Sequence, residues 1–340
     1  MWARLHSTAF YMTTRTTVSP ELLKLDCASE SDRIGTLLRE VVLRRFHKKG
    51  VVVAISGGID SGVVAALAVR ALGKEQVLGI LMPERHSAEE TLMLSRVMTQ
   101  HLGIESVHED ISPILDAFGC YRLQEEAIRR VVADYGPGCK SKIVLPSVLE
   151  DSTYRLFSVV VQYPDGRTTT TRLDLKSYQG LVAATNFKQR TRKALEYYHA
   201  DRLNFAVAGT PNRLEYDQGF FVKLGDGAAD IKPIAHLYKS QVYQMAQFLG
   251  LPEAIRSRPP TTDTYSLPQS QEEFYFSLPY DKMDLALFGK NNGYTAMEVG
   301  AGLGLSVEQV ERVFRDIDGK RRVASYLHAP PVLVAEVRKT

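Results

Sequence analysis

Cysteine is scarce in this chain of 340 residues: Cys27, Cys120 and Cys139 are all there are, and no two form a C-x-x-C pair. That disfavours a disulfide framework and a cysteine-bound zinc site, and it predicts a reducing, cytoplasmic setting. No apolar run has the length of a membrane span, and the first twenty residues lack the apolar core of a secretory signal. Those residues also lack any acidic side chain before Glu21, while carrying Arg4, Arg15 and several Ser and Thr. They read as a flexible leader over residues 1–20, with Met12 as an alternative start; a transit peptide is the other reading. An excess of one charge is missing as well, since 42 Lys and Arg against 39 Asp and Glu leave a net charge of +3. Neither a nucleic acid nor a membrane surface is therefore expected as a partner.

What remains is an ordinary globular composition, 44% hydrophobic and 24% charged, enough for one large domain over residues 21–340. Ile34, Leu37, Leu38, Val41, Val42 and Phe46 share a helical face, and Val51 to Ile55 is an apolar strand followed by a helix to Leu72. Val77 to Met82, Ser87 to Leu102 and Ile104 to Asp110 repeat the strand, helix, strand order. This alternation predicts a doubly wound α/β fold, a parallel sheet with helices on both faces. Between about 140 and 175 the rhythm turns β-rich, over Ile143 to Leu149, Tyr154 to Tyr163 and Arg167 to Leu175. Pro164-Asp165-Gly166 marks a turn, and the stretch reads as an inserted hairpin or small meander. Helix resumes over 183–200, Asn204 to Ala208 is a buried strand, and Leu237 to Leu249 is an amphipathic helix stopped by Gly250. The long polar segment from Arg258 to Pro279 reads as a loop beside a site. Residues 295–314 superficially resemble a DNA-reading helix pair, but Glu308 and Glu311 stand where base-reading side chains would be needed, so two packed helices are expected.

The most informative stretch is Ser56-Gly57-Gly58-Ile59-Asp60-Ser61, between the first strand and its helix. Gly57 and Gly58 allow a sharp turn and close approach to an anion, the opening amides of the helix carry its positive end, and Ser56 and Ser61 add hydroxyls. Asp60 would repel a phosphate unless a cation lay between them, which points to Mg²⁺. The G-x-x-x-x-G-K-[ST] spacing of kinases and GTPases is absent, together with its lysine. The turn resembles the pyrophosphate loop of ATP pyrophosphatases, which cleave ATP between the α and β phosphates. The resemblance implies an adenylating enzyme with an adenine nucleotide alpha hydrolase-like fold.

A second constellation narrows the family. Gly209-Thr210-Pro211-Asn212-Arg213-Leu214-Glu215, the run Gly219 to Ile234 with Lys223, Gly225-Asp226-Gly227 and Asp230, and Leu237-Tyr238-Lys239-Ser240-Gln241 closely resemble segments of NAD⁺ synthetases. Leu81 to Ser87, Asn186-Phe187-Lys188-Gln189-Arg190 and Pro259-Pro260-Thr261-Thr262-Asp263 extend the likeness. The resemblance implies a ligase in which the nicotinate carboxylate of deamido-NAD⁺ attacks the α-phosphate of ATP, after which ammonia displaces AMP. By position it implies Asp60 and Glu215 as Mg²⁺ ligands and the loop Ser56, Gly57, Gly58, Asp60, Ser61 as the pyrophosphate cradle. Lys239, Thr261 and Thr210 are implied at ATP, and Arg190, Lys223, Asp226 and Asp230 at deamido-NAD⁺ and its ammonia; Asp60, Lys239 and Asp226 are the catalytic candidates. A fused glutaminase would need a further domain, so free ammonia or a separate nitrogen-donor protein is expected, in a homodimer of the short family form. Two departures bear on the substrate: the β-rich insert, and Val182, Ala183 and Ala184 where the family usually brings an aromatic residue toward the nicotinate ring. A ligase for another carboxylate, or a nucleotide-binding regulator without turnover, are the alternative readings.

Overall fold

A computed structural model describes residues 17–149, 156–262 and 264–335. Most of the expected leader lies outside the described residues, as do Tyr154 and Asp263. The first half of the chain comprises α1 (Cys27–Leu38), β1 (Val51–Ala54), α2 (Ile59–Leu72), β2 (Val77–Leu81), α3 (Glu89–Leu102), β3 (Glu105–His108), α4 (Ser112–Ala117) and α5 (Cys120–Arg129). Then follow β4 (Lys140–Val144), β5 (Ser158–Gln162), β6 (Thr168–Arg172), α6 (Leu175–Leu203), β7 (Ala206–Ala208), α7 (Arg213–Gln218), α8 (Lys239–Phe248) and α9 (Glu253–Arg256). The chain closes with α10 (Tyr280–Asn291), α11 (Ala296–Leu303) and α12 (Val307–His328).

The parallel sheet has the order β3-β2-β1-β7, with Val51 of β1 opposite Val77 on one side and Ala206 on the other. Val51 and Val53 enter one core with α1, α2 and α8, while Val52 enters another with α4, α5 and α6. A strand buried on both faces has no polar side, which is why β1 reads as an unbroken apolar run. Chain progress from β1 through β2 to β3 runs one way, and β7 is added on the far side of β1. The loops leaving β1 and β7 therefore diverge at their carboxyl ends, where open α/β sheets bind ligands.

The insert is a meander: β4, β5 and β6 form an antiparallel sheet whose Ile143, Val159 and Val161 pack against Ala127, Ile128 and Leu181. Its first strand lies three residues earlier than the apolar run from Ile143 suggests, because Lys140 pairs with Gln162 and alternation buries Ser141 and Ile143. The edge of β4 holds the 258–279 segment. Leu267 N donates to Ser141 O at 3.1 Å, Leu145 N to Glu273 O at 3.0 Å, and the Gln269 amide to Ile143 O. The loop expected beside a site is thus tied to the insert.

Helix α6 begins eight residues before the expected 183, capped by Asp174, which accepts from Ser177 N at 2.7 Å. It has no simple apolar stripe because polar side chains also point inward. Lys188 is completely buried, and its Nζ donates to Glu84 Oε1 and to Thr264 O, each at 2.7 Å. Tyr121 donates to the other Glu84 oxygen at 2.8 Å. Burial, followed by the Lys188 charge, pushes His86 down to about 4, so this ring is neutral beside the pair. Residues 295–314 form α11 and the start of α12, joined through buried Val299, Leu303, Val310 and Val313. Lys188→Met would leave the Glu84 carboxylate buried without its cation, a loss of about 3–5 kcal/mol. Urea unfolding should show it, with partial recovery in the Lys188→Met, Glu84→Gln double variant; a single variant as stable as the parent would mean that the pair does not support the fold.

Candidate active site

Beyond β1 the backbone turns at Gly57, whose φ is +68°. A Cβ there would also lie 2.7 Å from Thr91 O and 2.9 Å from Leu94 Cβ, so only glycine lets the turn sit against α3. Gly58 is the N-cap of α2 and no side chain caps that helix, leaving its first amides and the positive end of its dipole facing the cleft. Ser61 Oγ donates to Gly58 O at 2.9 Å, and Ser56 Oγ lies 3.2 Å from it. The two hydroxyls thus brace the turn and can also offer donors to an anion.

In the first turn of α2, Asp60 meets Lys239. The Lys239 ammonium donates to Asp60 Oδ2, and Asn212 Nδ2 donates to Asp60 Oδ1 at 3.0 Å. Asn212 also caps α7, where its Oδ1 accepts from Leu214 N and Glu215 N while Glu215 Oε2 accepts from Asn212 N at 3.1 Å. The other Glu215 oxygen accepts from Gln271 Nε2 at 3.1 Å. Burial, and then the Asp60 carboxylate, push the Glu215 carboxyl up to about 8. For Lys239, burial opposes the charge, but the Asp60 and Glu215 carboxylates outweigh it and raise the pKa. Lys239 is the first residue of α8, where a cation opposes the helix dipole. Buried Asp284 of α10 counters this by accepting from Lys239 N at 3.1 Å and Ser240 N at 2.7 Å.

Two carboxylates with one lysine between them, in the wall of a cleft, are donors that a Mg²⁺ ion could share with phosphate oxygens and water. Among the described residues no group of three or more His, Cys, Asp or Glu converges on a metal-sized site. A protein cage is not required, because Mg²⁺ commonly takes one or two carboxylates together with the phosphates of its nucleotide.

The cleft holds about 780 Å³, within the range of small-molecule sites. It brings together Ser56, Gly58, Asp60, Ser61, Thr210, Glu215, Lys239 and Thr261, and also Arg190, Lys223 and Asp226. Gly57, the turning residue itself, is not among the residues lining it. Asp226 accepts from Val222 N at 2.8 Å, and its carboxyl is raised by burial. Lys223 donates to Tyr326 O and Ala329 O, at 2.8 and 3.0 Å, and Arg190 donates to Lys223 O at 3.4 Å. Asp230 is not among the lining residues; it accepts from Val207 N at 2.7 Å and from Tyr197 at 3.3 Å, fastening the loop to β7. Thr261 stands at a bridge with Ser270 inside the long segment.

Several residues of the site were given no role in the sequence reading. Asn212 and Gln271 hold the two carboxylates, Asp284 fixes Lys239, and a buried pair on α6, Lys193 and Glu196 at 2.7 Å, lines the cleft beside Asp226. Only Asn212 had a local signal, the Asn-x-x-Glu capping pattern.

The chain matches the family described as NAD synthase over residues 31–135 and 162–323. The unmatched stretch between them takes in β4 and all of β5 except Gln162. A protein of Rhizobium meliloti named NH3-dependent NAD⁺ synthetase is 59% identical over 325 residues, covering 96% of this chain and 97% of the relative. One of Mesorhizobium japonicum with the same name is 57% identical over 316 residues, covering 93% and 99%. In fold, the chain is similar to an NMN synthetase from Francisella tularensis, with a TM-score of 0.64 at 21% identity over 91% of this chain and 99% of that one. It is also similar to an NH3-dependent NAD synthetase from Campylobacter jejuni in complex with nitrate, with a TM-score of 0.60 at 23% identity over 92% and 100%. On its sequence match, its sheet order and its loop at the switch point, the chain belongs to the NAD synthase family.

Proposed function

We propose that this protein joins ammonia to the nicotinate carboxylate of deamido-NAD⁺ at the expense of ATP, releasing AMP and pyrophosphate. The carrying observation is the Asp60–Lys239 pair, clamped by Asn212 and flanked by Glu215 at the open amino end of α2. Near-full-length likeness to relatives named NH3-dependent NAD⁺ synthetase supports both the acid and the nitrogen source.

In the first step a carboxylate oxygen of the acid bonds to the α-phosphorus of ATP while the bond to the bridging oxygen of pyrophosphate breaks. Negative charge grows on the leaving group. The α2 amides, with Ser56 and Ser61, are aimed where that charge collects, and Lys239 adds a full positive charge held in place beforehand. Thr210 and Thr261 line the same space and would contact the nucleotide. Mg²⁺ bound by Asp60 and Glu215 would neutralise phosphate charge and shield Asp60 from it. In the second step ammonia adds to the acyl carbon of the adenylate, AMP leaves, and the added nitrogen sheds a proton. Asp226 is the carboxyl placed to take it, beside Arg190 and Lys223, which would face the dinucleotide phosphates. Asp230 supports this wall from behind. A homodimer, and delivery of ammonia by a separate protein, belong to the same reading.

The direct test supplies ATP, Mg²⁺ and ammonium with and without deamido-NAD⁺, following pyrophosphate and the mass of NAD⁺. Acid-dependent pyrophosphate with NAD⁺ appearing is expected. Turnover stimulated only by another carboxylic acid would reassign the substrate, and none with any acid would leave a nucleotide-binding protein. Asp60→Asn should lower kcat by about 10²–10³, as for removal of other transition-state charge partners, and should also lower the thermal midpoint, because the buried Lys239 ammonium loses its carboxylate partner; full activity would remove Asp60 from the mechanism. Asp284→Ala leaves two helix amides without their acceptor and should cost about 1–2 kcal/mol in urea unfolding, together with a fall of about tenfold in kcat as Lys239 loses its anchor. Lost stability with unchanged kcat would make Asp284 purely structural.

A further inference from the structure

The segment from Arg258 to Pro279 folds back on itself at the cleft. Thr261 forms an antiparallel bridge with Ser270, Thr262 N donates to Gln269 O at 3.1 Å, and Gln271 N donates to Pro260 O at 3.4 Å. Thr261, Thr262 and Gln271 line the cleft, whereas Gln269 stands behind them, only 3% exposed.

The Gln269 side chain fastens this fold-back to the insert. Its Nε2 donates to Ile143 O on the open edge of β4, and its Oε1 accepts from Thr262 Oγ1 at 3.2 Å. With its backbone carbonyl also taken by Thr262 N, the residue ties the strand edge on one side to the cleft wall on the other. Two residues further on, Gln271 Nε2 reaches Glu215 Oε1 at 3.1 Å. The remaining contacts of that edge, Ser141 N to Ser266 Oγ at 2.8 Å and Leu145 N to Glu273 O at 3.0 Å, hold the same segment without touching Thr262. Thr261 to Gln271 lie inside the residues that match the family, and β4 lies outside them. A shared piece of the cleft wall is thus held here by an edge that the match does not include. Truncating Gln269 would leave a buried carbonyl and a hydroxyl without their partner and free the wall to move, so that a ligand would have to order it on binding.

We propose that Gln269 is a positioning residue, which fixes Thr261 and Gln271 in the nucleotide wall of the cleft by fastening their fold-back to the insert. This rests on the function proposed above, which puts ATP at Thr261. Gln269→Ala should weaken ATP binding about tenfold, both as Kd from calorimetry with Mg²⁺ and no acid present and as KM for ATP in turnover. KM for deamido-NAD⁺ should stay within about twofold, because Arg190, Lys223 and Asp226 are held by partners outside the segment. Thr262→Val removes the hydroxyl from Gln269 Oε1 while sparing the contact to β4, and should weaken ATP binding about threefold. Ser266→Ala loosens the same strand edge elsewhere and should leave ATP binding within about twofold. In hydrogen exchange of the Gln269→Ala variant, the Thr262 and Gln271 amides should exchange about tenfold faster, with those of β5 and β6 unchanged.

Unchanged ATP binding in both Gln269→Ala and Thr262→Val would overturn the assignment, and Thr262→Val alone decides it if the alanine variant does not fold. A fall in kcat with Kd and both KM values unmoved would also overturn it, by making Gln269 purely structural. So would an equal loss in Ser266→Ala, since any loosening of the β4 edge would then suffice. A wild type that binds ATP but amidates no deamido-NAD⁺ would overturn the proposed function instead, and the Kd comparison would still decide the role of Gln269. A wild type that does not bind ATP would overturn both.

Discussion

The pair of Asp60 and Lys239 is the constraint around which the site is arranged. A lysine at the start of a helix and an aspartate facing a phosphate cradle are each unfavourable alone. Together, with Asn212 on one Asp60 oxygen and Asp284 on the amides at the foot of Lys239, they become a fixed charge assembly whose members come from α2, α7, α8 and α10. Removing one partner of such a buried pair leaves the other uncompensated, so the arrangement resists relaxation. That rigidity suits nucleotidyl transfer, where the protein's main contribution is charge positioned before the reaction begins.

Sheet topology explains why these four elements meet. The carboxyl ends of β1 and β7 open away from each other, so the turn after β1 delivers Asp60 at the start of α2 and the loop after β7 carries Asn212 into one crevice. Asn212 then has two duties through different atoms: its Oδ1 starts α7 and its Nδ2 holds Asp60. Glu215 likewise completes the helix cap with one oxygen and takes Gln271 with the other. The helix cap and the site geometry are thus set by the same two side chains, and the loop after β7 cannot be repacked without moving the carboxylates.

Legibility in the sequence follows the range of each interaction. The parallel strands were readable because strands buried on both faces are apolar throughout, and the pyrophosphate loop because its glycines, hydroxyls and aspartate are contiguous. Helix α6 was only partly visible, since Lys188, Lys193 and Glu196 point inward and erase the apolar period. Strand β4 was misplaced by three residues because its pairing with β5, rather than its own apolar content, sets its limits. Asp284 gave no signal: an aspartate in a later helix looks like any exposed carboxylate until the fold brings it to the start of α8. The cleft residues in contiguous motifs were legible, whereas Gln271 and Asp284, which hold Glu215 and the start of α8 from far along the chain, were not.

The insert is joined to the cleft through the same fold logic. Val182, Ala183 and Ala184 leave α6 without an aromatic ring over that turn, and the ring surface near it comes instead from Tyr178, one turn earlier, and from Phe157 across the cleft wall. The meander's other edge takes up the backbone of the 258–279 segment, whose Gln271 reaches Glu215 and whose Thr264 carbonyl is held by Lys188. The aromatic surface and the charged assembly, both in the cleft wall, are therefore linked through a single loop pinned along β4. The segment packed beside the rings is thus the one whose Gln271 also holds Glu215.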